Sequence, residues 1–136
     1  MEYILENRET YLYVKITGME ALNASVWNSI KSTRLEILAL ANKTGIFKLL
    51  MDCREVSFRI SAIDRFFFAS FFVEQNIKRI FNRQPIMKIV LLLNTAMLDP
   101  EKFGEKVARN RGLYLFVTDD MDKGLEWLDV QSLVKA

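Results

Sequence analysis

Near its start the chain places Tyr3, Ile4 and Leu5 before a polar stretch, Asn7-Arg8-Glu9. After it, Leu12, Val14 and Ile16 alternate with Tyr11, Tyr13 and Lys15. A period of two marks a half-buried strand, so two strands open the fold and Gly18 ends the second. From about Glu20 to Asn42 the apolar positions Leu22, Val26, Ile30, Ile37 and Ala41 recur at helical spacing and close at Lys43-Thr44-Gly45. This predicts a long amphipathic helix. Phe47 to Met51 is a short apolar run that turns polar at Asp52-Cys53-Arg54-Glu55, the profile of a buried strand at its carboxyl end.

Ser61 with Asp64 three residues later makes a capping-box-like start for a second helix, which runs to about Phe81 and stops before Pro85. Met87 to Leu93 is too short for most helices and rich in branched residues, and reads as a strand covered on both faces. Asp99-Pro100-Glu101 opens a third helix, with Asp99 as cap and Pro100 where a missing N–H costs nothing; Gly112 ends it. Leu113 to Val117 forms the last strand, and Asp119-Asp120 starts a terminal helix carrying Leu125, Trp127 and Leu128. Strands alternating with helices predict an α/β fold: a single, largely parallel (mixed) sheet of about five strands flanked by about four helices. No linker or repeat divides residues 1–136, which read as one domain.

Composition narrows the function. With 51% hydrophobic and 26% charged residues the chain has the apolar surface to fold without disulfides. A net charge of +2 from 19 basic and 17 acidic residues is far from the excess a nucleic-acid binder uses, so nucleic acid is not an expected partner. Cys53 alone forms no internal bridge and reads as a buried thiol in a reducing compartment. The segment Met1 to Thr10 mixes Glu2, Glu6, Arg8 and Glu9 into its apolar residues, unlike a signal peptide. Phe66 to Val73 and Met87 to Leu93 fall well short of the roughly 20 residues that cross a bilayer. The expectation is a cytoplasmic protein that is not transmembrane.

The chain has no histidine, which removes Ser-His-Asp and Cys-His catalysis and imidazole zinc sites. Glycines 18, 45, 104, 112 and 124 are too scattered for a dinucleotide or Walker loop. Neither a metal nor a cofactor is expected, and the chain reads as a binder rather than an enzyme. Asp52 and Asp119 fall at strand ends, where open α/β sheets place ligands, and are the carboxylates available for acid-base or metal chemistry. Capping of helices and strand ends is the alternative for both. Lys102, Lys106, Arg109 and Arg111 give the third helix a basic, solvated side.

The second helix is the most informative stretch. At about 100° per residue, Ile63, Phe66, Phe67, Val73, Ile77, Ile80 and Phe81 share the face that covers the sheet, while Phe68 and Phe72 fall opposite with Arg65, Gln75 and Arg79. Two rings beside positive charge fit a homodimer contact or a partner site, or cover by a neighbouring element. Met51, Met87 and Met97 read as core fillers, and Trp127 with Leu128 as the staple of the last helix.

The segment Leu49-Leu50-Met51-Asp52-Cys53-Arg54-Glu55-Val56-Ser57-Phe58 resembles the central strand and following turn of SpoIIAA-like proteins, the STAS-domain family. The likeness extends to the preceding helix, to Lys88 to Leu93, and to Phe116-Val117-Thr118-Asp119 with Gly124-Leu125-Glu126-Trp127-Leu128; the terminal Trp-Leu resembles the branch grouped with CRAL-TRIO lipid-binding domains. The resemblance implies a superhelix of strand-helix units and a non-enzymatic, regulatory role in protein recognition, as in anti-sigma-factor antagonists. It implies an interaction surface of Asp52, Arg54, Ser57, Arg59 and Ser61, to which the helical pattern adds Phe68 and Phe72. Family members carry a phosphorylatable serine in an Asp-Ser-Ser-Gly stretch. Here Ile60, Ser61, Ala62 and Ile63 stand at those positions, so Ser61 is the candidate phosphosite in a degenerate motif. The expected partner is another protein or a second copy; carriage of a small apolar or lipid-like ligand by the phenylalanine cluster is the alternative.

Overall fold

A computed structural model describes residues 1–18, 24–56, 78–79, 83, 86–98 and 114–130. The described elements are β1 (Glu2–Asn7), β2 (Leu12–Thr17), α1 (Ala24–Thr44), β3 (Lys48–Cys53), β4 (Lys88–Leu93), a 3₁₀ turn (Thr95–Met97), β5 (Tyr114–Thr118) and α2 (Met121–Trp127). The class is α/β, with one mixed five-stranded sheet in the order β1-β2-β3-β4-β5. β1 and β2 pair antiparallel, and β2, β3, β4 and β5 are successively parallel. Most of the expected second helix, the third helix with Gly112, and Leu22 lie outside the described residues.

The opening hairpin turns through Arg8 to Tyr11. Glu9 sits at φ 71°, a left-handed conformation that side chains resist, and its N–H is held by the Asn7 carboxamide oxygen at 2.9 Å. Arg8 and Tyr11 close the loop through Arg8 N to Tyr11 O at 3.0 Å. On β2 the alternation noted above sends Leu12, Val14 and Ile16 to one face and Tyr11 and Tyr13 to the other.

α1 covers the first face. Val26, Ile30, Ile37 and Ala41 pack there with Leu49, Met51, Cys53 and Ile89. Thr33, on the same stripe, is buried without breaking the helix because its hydroxyl donates to Ser29 O at 2.8 Å. The helix ends where Gly45 takes φ 75° and donates to Ala41 O at 2.8 Å.

α2 covers the second face over Leu50, Val90 and Leu92. Asp120 caps it, its carboxylate accepting from Asp122 N and Lys123 N. Gly124 lets the helix approach the sheet so closely that a Cβ there would sit 2.9 Å from Val90 Cγ1. At the other end Lys88 Nζ donates to Trp127 O at 2.6 Å and lies 4.5 Å from the Trp127 ring, while Lys48 Nζ donates to Asp129 O at 3.3 Å. Two ammonium groups thus answer carbonyls at the negative end of the helix. Trp127 stacks on Phe116, and Leu128 is fully enclosed. Among the described residues no helix is long and apolar enough to cross a membrane.

Arg79, expected on the exposed side with Phe68 and Phe72, is instead 5% exposed. Its guanidinium lies 4.5 Å from the Phe47 ring centre and donates to Asn42 Oδ1 at 3.4 Å. A planar, weakly hydrated cation can be buried against an aromatic face, so charge alone misplaces an arginine. Burial lowers its pKa from the ordinary value.

Candidate functional site

Asp52 is the most deeply enclosed charged group described, 2% exposed on the central strand. It directly opposes Lys15 on β2 and Leu92 on β4. Side-chain alternation places it on the face that carries Tyr13, which stands two residues back along β2. The diagonal is short enough for a tyrosine to span. Tyr13 OH accordingly donates to Asp52 Oδ2 at 2.6 Å.

Arg54 closes the other side. Its backbone N–H and Nε donate to Oδ1 at 3.2 and 3.0 Å, and Nη2 donates to Oδ2 at 2.9 Å. An ionised carboxylate offers about four acceptor positions on its two oxygens. Here each oxygen receives two donors, so the group is saturated. Burial works to raise the Asp52 pKa, but the bonds from Arg54 and Tyr13 outweigh it and hold the carboxyl below its ordinary value. Burial and the bond to Asp52 together push the Tyr13 phenol up to about 12. The bond to Asp52 also raises Arg54. Arg8 completes the cluster, its guanidinium carbon 3.8 Å from the Tyr13 ring centre and its Nη1 3.1 Å from Tyr11 OH.

The Arg54 side chain remains 47% exposed. One edge of its guanidinium is thereby fixed by a buried anchor while the rest faces outward at the carboxyl rim of the sheet. Beyond it, Val56 N returns to Cys53 O at 3.0 Å to close a turn. Lys15 Nζ meets Glu55 Oε1 at 3.3 Å across the rim, a half-exposed pair of small energetic weight. Asn94, just past β4, donates from Nδ2 to Val56 O at 2.9 Å and to Arg54 O at 3.3 Å. Next along the rim, Thr95 Oγ1 donates to Asp119 Oδ2 at 2.9 Å.

Of the residues expected to form an interaction surface, Asp52 and Arg54 are brought together as a bidentate pair. Ser57, Arg59, Ser61, Phe68 and Phe72 lie outside the described residues. The acid-base pair of Asp52 with Asp119 does not form. Asp52 shares a row with Leu92 and Thr118, so Asp119 follows two strands away, past the end of β5, and the carboxylate of Asp52 is taken up by Tyr13 and Arg54 instead. Asp119 binds Thr95, and Asp120 rather than Asp119 caps α2. Cys53 is a free, buried thiol, with burial and the neighbouring Asp52 charge pushing its pKa up to about 12. Neither Tyr13 nor Asn94 stands out from the sequence as a site residue. Tyr13 carried a usable signal, since its parity on β2 faces the one acidic position of β3. A shallow depression of about 390 Å³ between β1 and β2 mixes Glu2 and Lys15 with Ile4 and opens to solvent.

In comparisons with known proteins, no family model matches the chain, nor does any curated protein or solved structure.

Proposed function

We propose that this chain is a non-enzymatic, regulatory protein-interaction module of the STAS kind, acting in the cytoplasm and meeting its partner through the turn after β3 and the residues that follow it. One observation carries the reading: the Asp52 carboxylate is spent on Tyr13 and Arg54, and in being spent it fixes a half-exposed guanidinium at the rim of a rigid sheet. A saturated, buried carboxylate has no lone pair left to take a proton or hold a metal, whereas an oriented arginine is what recognition surfaces use. The strand order supports the family resemblance, because parallel strands added one after another in chain order suit a superhelix of strand-helix units. The contact surface is Asp52, Arg54, Ser57, Arg59 and Ser61, continued by Phe68 and Phe72, and Ser61 is its candidate phosphosite.

The test is cross-linked affinity capture from the native host with the wild-type chain, Arg54→Gln and Ser61→Asp, each shown folded by circular dichroism, with mass in solution measured in parallel. Capture of a protein by the wild type and its loss, tenfold or more, in both variants is the expected result. A concentration-dependent dimer lost in the same variants identifies the partner as a second copy. Capture of nothing, or of proteins indifferent to both substitutions, overturns the reading. A co-purified apolar molecule in native mass spectra would favour carriage of a lipid-like ligand instead.

A further inference from the structure

The turn that carries Arg54 is held not only by its own strand but by a single amide just past the end of the next one. Asn94 spends every polar atom of its side chain on two turns. Nδ2 donates to Arg54 O at 3.3 Å and Val56 O at 2.9 Å, and Oδ1 accepts from Met97 N at 3.1 Å, where Asn94 also caps the 3₁₀ turn with extended backbone at φ −72° and ψ 156°. The orientation is unambiguous on chemical grounds, because the reversed amide would set its oxygen against two carbonyls and its NH₂ against an N–H. Carbonyls 54 and 56 belong to a loop, where no sheet ladder pairs them, and Val56 is 2% exposed. An enclosed loop carbonyl without a donor is costly, so the amide supplies something the turn requires.

Resting on the interaction reading above, we infer that Asn94 is the positioning residue of the recognition turn: from just past β4 it fixes the backbone of 54–56 and thereby the direction in which Arg54 leaves the sheet. Asp52 holds the arginine's side chain and its backbone N–H, and Asn94 holds the carbonyls of 54 and 56. The two restraints come from β3 and from just past β4, strands that lie in register through Cys53 and Leu93. Without Asn94 the turn keeps its Asp52 and Cys53 bonds but loses the donors to its carbonyls.

Two near-isosteric substitutions separate the bridge from its neighbours. Asn94→Asp keeps the oxygen that accepts from Met97 N but loses both donors to the turn. Thr95→Val breaks the adjacent bond to Asp119 and leaves the bridge alone. Site-resolved amide hydrogen exchange on the isolated protein reads the outcome at the Val56 N–H, which bonds Cys53 O, against Leu50 and Val90 in the core of the sheet. With two hydrogen bonds lost, Val56 exchanges roughly ten- to a hundredfold faster in Asn94→Asp, while Leu50 and Val90 keep their protection and Thr95→Val behaves as wild type. If Asn94→Asp does not fold, Asn94→Ala is read in its place. An unchanged Val56 rate, or acceleration shared equally by Leu50 and Val90, overturns the inference. Because no partner takes part, this failure is distinct from a failed capture experiment, which would remove the recognition reading and leave the exchange result standing.

Discussion

Replacing Tyr13 by phenylalanine removes one oxygen and asks whether the Asp52 cluster is closed. The hydroxyl donates to Asp52 Oδ2 at 2.6 Å in a site where the carboxylate is 2% exposed, so water cannot readily take its place. Hydrogen bonds to buried charges contribute roughly 1.5–3 kcal/mol, and Asp52 keeps its donors from Arg54. The expected loss is about 2 kcal/mol, a fall in Tm of about 6–10 °C for a domain of this size.

Titration supplies the independent check. The Tyr13 pKa is raised to about 12 in the folded protein, against about 10 when unfolded. A group whose folded pKa is raised contributes its stability in full below the unfolded value and loses it as pH rises through the folded one. Wild type therefore loses stability between about pH 10 and 12, and screening by nearby solvent limits this to about 1–2 kcal/mol. Tyr13→Phe lacks that component, although Cys53, likewise raised to about 12, keeps part of the alkaline slope. In the same variant the Asp52 carboxyl, followed by its ¹³C shift, titrates at a higher pH, because one of the bonds that lowers it is gone. Urea unfolding at pH 7 and pH 11 and the carboxyl titration together decide. Equal stability, an unaltered alkaline slope and an unmoved Asp52 would mean that the tyrosine oxygen is solvated and the cluster open.

Two further outcomes follow from packing. Gly124→Ala gains up to about 1 kcal/mol in helix propensity, but its Cβ meets Val90 Cγ1 at 2.9 Å and overpacking costs about 1–3 kcal/mol. Urea unfolding should show a net loss of about 1 kcal/mol, and a smaller loss when the same substitution is made in a Val90→Ala background; a stabilised single variant would show that α2 stands farther from the sheet. Cys53, enclosed and with its thiol pushed up to about 12, should resist Ellman's reagent at pH 8 in the folded protein and react at once in urea. Labelling within seconds under native conditions would refute its burial.

The periodicity along the chain located each described strand, and the reason is local: alternation on β2 and branched apolar runs on β3 and β4 are written residue by residue. Ends were less legible. The apolar run of the third strand ends at Met51 and turns polar at Asp52, and β3 continues through that polar end to Cys53. Its acidic residue is accommodated inside the sheet by a tyrosine 39 positions earlier. Such a partner belongs to strand order and register, which no local pattern states. Arg79 was misplaced for the same reason, its stability inside the fold depending on Phe47.

The site was half legible for a related reason. Asp52 and Arg54 stand two residues apart on an extended chain, close enough for the sequence to place both at the sheet's carboxyl rim. Whether that carboxylate is reactive or spent is decided by how many donors converge on it. Three of the four come from Arg54, and the fourth comes from Tyr13 on the neighbouring strand. A buried carboxylate with a free lone pair would need its pKa raised to act as an acid near neutrality. Asp52 is driven the other way by the donors that fill it, and what reaches solvent is the arginine it holds. The chemistry at this rim is therefore that of a cation held in place at the surface, its side chain oriented by Asp52.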